Sequence, residues 1–283
     1  MTVDKIDLYE YFNLPRPKGA QGYLTVYVHD QSLEYCENRV RPAMLVIPGG
    51  GYSMVSDREG EPIALKYMTN GFNAFVLNYS VAPVGYPYQL IEGKMAVIYI
   101  RQNAKKYNID ENLIAGVGFS AGGHLLGMLS TDTCGVDVQK FLGDNAKYAS
   151  LNASVYSYPV VTIAKDFTHM GTRECLCGND RDLQEKTSIE NNVTNQSPPA
   201  FIWATEDDDT VPVENALTLA LAYKKARVPF ELHVYKSGIH GLSLATEEVS
   251  RAELKHLVNN PPVQTWFDMS VTFLKGLGFT VKL

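Results

Sequence analysis

The chain has 283 residues, of which 45% are hydrophobic, 20% charged and 11% aromatic. This is the composition of a globular protein with a large core, and it excludes wholesale disorder. A net charge of −6 without any Lys/Arg cluster argues against nucleic acid or an anionic membrane surface as the main partner, and no apolar run approaches a membrane span.

The first ten residues lack a basic segment followed by an apolar run, so a cytoplasmic protein is expected. Residues 1–40 read as an N-terminal arm or the antiparallel start of a sheet, with a strand signal at Tyr23–Val28. Further strands are expected at Ala43–Ile47, Asn73–Tyr79, Leu113–Phe119, Ser154–Val161, Ala200–Thr205 and Phe230–Tyr235. Most are solid apolar runs, as in a parallel sheet covered by helices on both faces. Leu90, Ile91, Met95, Ile98 and Tyr99 recur at helical spacing, as do Val213, Leu217, Ala220 and Leu221; Thr265–Leu277 is a last amphipathic stretch. Strand–helix alternation predicts an α/β fold with one domain over 41–283. The irregular segment 164–197 reads as a small cap excursion over the carboxyl edge of the sheet, where binding loops sit.

The four cysteines, Cys36, Cys134, Cys175 and Cys177, show no zinc-site spacing and read as free thiols; no metal is expected. Gly118-Phe119-Ser120-Ala121-Gly122 carries more chemistry. A serine at a sharp strand-to-helix turn sits in strained backbone, and side chains two residues either side would collide where strand and helix converge. The new helix also aims its first amides at a developing oxyanion. Pro48-Gly49-Gly50-Gly51-Tyr52, after another strand, lets backbone N–H groups approach a ligand closely. Gly50 or Gly51 and Ala121 are the expected oxyanion donors. A phosphate-binding loop fits less well, because no Lys-Ser/Thr follows.

Six histidines compete to serve as the base: His29, His124, His169, His233, His240 and His256. His240 follows Phe230–Tyr235 directly, on the edge where Ser120 is expected. His233 lies within that strand and reads as packed, His124 reads as a packing residue of the helix after Ser120, and His29 and His256 read as surface residues. The acid is expected between serine and histidine in the chain, within Glu206–Asp209 at the end of Ala200–Thr205.

Together, Pro48-Gly-Gly-Gly-Tyr52, Asn78-Tyr-Ser-Val-Ala-Pro83, Gly118-Phe-Ser-Ala-Gly-Gly-His-Leu125, Asp208-x-x-Val-Pro-Val-Glu-Asn215 and Gly238-Ile-His-Gly-Leu242 resemble the α/β-hydrolase esterases. The likeness runs from Arg41 onward and is greatest to the acetyl-esterase branch, which includes acetyl xylan esterases and proteins labelled sugar hydrolases or lipase/esterases. Two positions depart from the pattern. Pro48 stands where hormone-sensitive-lipase relatives carry His, and Glu92 stands where many relatives carry Asp, a change expected to be structural.

The resemblance implies Asp208 as the acid and a Ser120–His240–Asp208 triad acting through an acyl-enzyme, with no cofactor. It implies a short-chain, acetyl ester on carbohydrate as substrate, contacted by Tyr52, Ser53 and Tyr158, while Trp203 is expected in the core. A lipase-like hydrolase or peptidase of the same fold, or a catalytically silent binding module, are the alternatives. A homo-oligomer is compatible with the sequence.

Overall fold

The computed structural model describes residues 1–34, 39–131, 138–250, 252–254 and 258–283. The described strands are β1 (Thr2–Asp7), β2 (Tyr23–Val28), β3 (Arg41–Ile47), β4 (Asn73–Asn78), β5 (Ile109–Phe119), β6 (Ala153–Ser157), β7 (Ala200–Thr205) and β8 (Phe230–Tyr235). They form one sheet in the order β1-β2-β4-β3-β5-β6-β7-β8. β1 and β2 pair antiparallel with each other, and β2 pairs antiparallel with β4; every other pair is parallel. The α-helices among the described residues are α1 (Leu8–Tyr11), α2 (Glu61–Met68), α3 (Tyr88–Gln102), α4 (Ala121–Ser130), α5 (Val138–Leu142), α6 (Met170–Leu176), α7 (Arg181–Thr187), α8 (Glu214–Ala226) and α9 (Pro261–Gly276).

The solid apolar runs are explained by burial on both faces. In β3, Ala43, Leu45 and Ile47 join one core with α3, α4 and α8, while Met44 and Val46 join a second with α2 and α9. β7 divides likewise: Ala200, Ile202 and Ala204 face the first core, Phe201 and Trp203 the second. Successive side chains of a strand point to opposite faces, so a strand sandwiched between two helical layers has no polar side. Trp203 is fully buried and stacks on Trp266 of α9 at 5.2 Å. Each such large side chain contributes about 1.5–3 kcal/mol when fully buried.

Several boundaries differ from the sequence reading; β5 starts at Ile109 rather than Leu113, and β3 at Arg41 rather than Ala43. The strand expected over Ser154–Val161 stops at Ser157, because Tyr158 takes φ 37° and the chain turns off the sheet at Pro159. Within residues 1–40, β1 pairs antiparallel with β2 as the start of the sheet; no strand signal marks it, because its residues are mostly exposed and largely polar, as an edge strand permits. The segment 164–197 folds as α6, α7 and a short 3-10 turn, Ile189–Asn191. Glu92, in α3, is buried and accepts hydrogen bonds from Tyr9 Oη, Ser80 N and Ser80 Oγ, linking α1 and the turn after β4 to α3.

Cys175 and Cys177 are free thiols; Cys36, Cys134 and His256 lie outside the described residues. Among the described residues, no helix is long and apolar enough to cross a membrane, and no cluster of His, Cys, Asp and Glu could hold a metal ion.

Candidate active site

Ser120 stands between β5 and α4 with φ 52° and ψ −120°. An L-residue reaches this conformation only when its surroundings hold it there. Its amide donates to Ser157 O at 3.0 Å, and its carbonyl accepts from His124 N and Val160 N, both at 3.1 Å. The flanking glycines are required by space. A Cβ on Gly118 would lie 2.5 Å from Gly122 O, and one on Gly122 would lie 2.2 Å from Ile47 O.

The loop after β8 brings His240 to this turn. Its Nε2 lies 2.8 Å from Ser120 Oγ, and its Nδ1 lies 2.7 Å from Asp208 Oδ2. A carboxylate can only accept, so Nδ1–H donates to Asp208 and Nε2 is left to accept from the serine hydroxyl. Asp208 is 1% exposed and His240 17%. The other carboxylate oxygen of Asp208 accepts from Thr210 N at 3.0 Å and Val211 N at 2.9 Å. Asp207 does different work: it accepts from Ser237 Oγ and Gly238 N, both at 2.7 Å, and so fixes the loop that carries His240. Those two hydrogen bonds hold its carboxyl below the ordinary range.

On the other side of Ser120 runs the glycine loop after β3. Gly50 and Gly51 take φ 126° and 64°. Among the described residues, the amides of Gly50, Gly51 and Ala121 donate to no protein acceptor, whereas Gly49 N donates to Glu59 Oε2 at 2.7 Å. Glu59 is buried, and its other oxygen accepts from Tyr158 Oη at 2.7 Å. Tyr158 Oη in turn accepts from Ser243 N at 2.8 Å, and its ring meets His240 edge-on at 5.1 Å. Burial, with the Glu59 carboxylate beside it, pushes the Tyr158 phenol up, so it stays a donor. Arg58 reaches the same loop, donating to Gly241 O and Val249 O. The turn Asp57–Glu59 thereby joins the glycine loop to the loop of His240.

The cleft above Ser120 has a volume of about 320 Å³; Ser53, His169, Thr210 and Ile239 are among the residues that line it. Of the substrate contacts expected from sequence, Ser53 is there, with its hydroxyl donating to Gly50 O. Tyr52 and Tyr158 are not. Tyr52 is fully buried because its hydroxyl bonds His124 Nδ1 at 2.9 Å, and Tyr158 is turned inward by Glu59 and Ser243. His124 is also buried, its Nε2–H donating to Thr187 O at 2.8 Å. His233 is half-buried, stacked on Phe201 and paired with Glu231. His29 is half-buried rather than on the surface, with its ring bonded to Met68 O. Sequence reasoning missed Arg58 and Glu59 as cleft residues, and nothing local marks them; His169, one of the six candidate bases, lines the cleft from the excursion, while His240 is the histidine on Ser120.

A family model, BD-FAE, matches residues 32–223. The endo-1,4-beta-xylanase B of Butyrivibrio fibrisolvens is 37% identical over 84% of this chain and 37% of its own length. The acetylxylan esterase of Xylanibacter ruminicola is 30% identical over 74% of this chain and 43% of its own. The chain thus spans about two-fifths of the length of these curated relatives. The acetyl ester-xyloside bifunctional hydrolase of Caldicellulosiruptor lactoaceticus superposes with a TM-score of 0.83 at 35% identity, covering 98% of this chain and 97% of that one.

Proposed function

The chain belongs to the BD-FAE family and has the α/β-hydrolase fold, and from that premise we propose that it is a serine carboxylesterase of short acyl, chiefly acetyl, esters on carbohydrate. The observation that carries the reading is the continuous relay from Asp208 through His240 to Ser120, at 2.7 and 2.8 Å, beside unpartnered loop amides. The names of the relatives, an acetylxylan esterase and an acetyl ester-xyloside hydrolase, support acetylated xylan fragments as the substrate class.

In this mechanism His240 Nε2 takes the proton of Ser120 Oγ as the oxygen attacks the ester carbonyl. Negative charge on the tetrahedral intermediate is held by Ala121 N–H together with Gly50 N–H or Gly51 N–H, each such donor contributing roughly 3–4 kcal/mol. Asp208 holds the imidazole tautomer and stabilises the imidazolium, which then protonates the departing alkoxide. A water activated by His240 releases the acyl group. The residues fit the reaction without a cofactor. A single catalytic domain over 41–283, with residues 1–40 completing the sheet, is part of the same proposal.

Hydrolysis of p-nitrophenyl esters from C2 to C12 tests it. The expected profile peaks at C2–C4, and Ser120→Ala removes at least ~10⁴-fold of the activity. A maximum at long acyl chains would replace the acetyl-sugar reading with a lipase-like one. Absence of hydrolysis on every ester by folded protein would remove the esterase reading.

A further inference from the structure

His169 has no part in that mechanism, yet it lines the same cleft as Ser120 and His240. It caps α6, and its Nδ1 accepts from Thr172 N at 3.2 Å and lies 2.8 Å from Thr172 Oγ1. A ring nitrogen that accepts an amide N–H carries no proton of its own, so the neutral imidazole carries it on Nε2. Among the described residues Nε2 has no hydrogen-bond partner. Its Cε1 would lie 3.5 Å from a Cβ on Gly51 and 3.2 Å from one on Gly171, so two glycines, one in the glycine loop and one in α6, leave the ring its room at the edge of the cleft. Burial and the neighbouring His240 lower its pKa, which keeps the ring neutral.

A donor fixed by its tautomer, beside the glycine loop and in the wall of the cleft, is free to donate to an acceptor oxygen that enters there. Resting on the esterase reading, we propose that His169 Nε2–H donates to a hydroxyl or ring oxygen of the sugar that carries the acyl group. His169 is then a specificity residue for the alcohol side of the ester. Through it, the excursion over 164–197 reads the substrate, and α6 is anchored by the same ring.

The test compares mono-O-acetylated methyl β-xylopyranoside with ethyl acetate, whose alcohol offers no further oxygen. His169→Ser keeps a capping oxygen for α6 but cannot reach the cleft, and His169→Asn keeps both a capping acceptor and a shorter donor. His169→Ser is expected to lower kcat/KM for the sugar ester by roughly 5- to 100-fold while ethyl acetate changes by less than about threefold; His169→Asn recovers part of the loss. Equal losses on both esters would overturn the proposal, because they would mean damage to the catalytic machinery. Unchanged turnover of the sugar ester would overturn it too. Wild-type protein that hydrolyses neither ester removes the esterase reading and this inference together, whereas active wild type with indifferent variants removes the inference alone.

Discussion

Tyr158 illustrates how a buried side chain can control a site it does not line. Its hydroxyl satisfies a carboxylate that in turn holds Gly49 of the glycine loop after β3, and its ring borders His240. Tyr158→Phe keeps the ring but leaves Glu59 Oε1 and Ser243 N–H buried without their partner. Each unsatisfied group costs about 1–3 kcal/mol. Urea denaturation should therefore show a loss of about 2–4 kcal/mol, and kcat/KM for p-nitrophenyl acetate should fall about tenfold as both loops loosen. A variant with wild-type stability and rate would show that the Glu59–Tyr158 bond positions nothing.

At the scale of elements, the junction of β3, β5 and α4 leaves no room for a side chain at Gly122. A Cβ on Gly122 would approach Ile47 O and Pro48 O to 2.2 and 2.3 Å, and both are backbone atoms that cannot rotate away. Gly122→Ala should cost at least about 3 kcal/mol or prevent soluble expression. Gly276, at the end of α9, has open space around its Cβ position, and Gly276→Ala should be neutral or stabilise by up to about 1 kcal/mol. Thermal unfolding of the two variants side by side checks the contrast; equal behaviour would mean that the junction relaxes freely. The same elements show what was readable in the sequence. Strands buried on both faces announce themselves as apolar runs, and Ser120 and His240 are marked by glycines and by their position after strands. The apolar run Pro159-Val160-Val161 misled because burial follows the turn at Tyr158 as well as the strand before it. Glu59 and Arg58 reach the cleft through packing between distant segments, and local pattern carries no trace of that. Tyr52 is the converse case: its place in the glycine loop suggested the cleft, and the partner that turns it inward, His124, lies 72 residues away.

For the whole molecule, His124 joins three parts: the glycine loop through Tyr52, the helix after Ser120, and the excursion through Thr187 O. It is fully buried, and burial pushes its pKa down from 6.5 to about 4. The unfolded chain therefore binds a proton in a range where the folded chain does not. Stability is complete above pH 6.5 and is lost progressively as pH falls towards 4, by about 3 kcal/mol from this residue. His124→Gln removes that titration, so its urea midpoints should fall less steeply than those of wild type between pH 6.5 and 4. Parallel slopes would mean that His124 is not the residue that senses acid.

In the proposed function Ser120 is the nucleophile of an acyl-transfer relay with His240 and Asp208. The most direct measurement is inactivation by a p-nitrophenyl alkylphosphonate, followed by intact mass and peptide mapping. One adduct per chain on Ser120, formed in step with loss of esterase activity and greatly slowed in His240→Ala, is the predicted result. Labelling at another residue, or full activity in protein that carries the adduct on Ser120, would rule out Ser120 as the nucleophile.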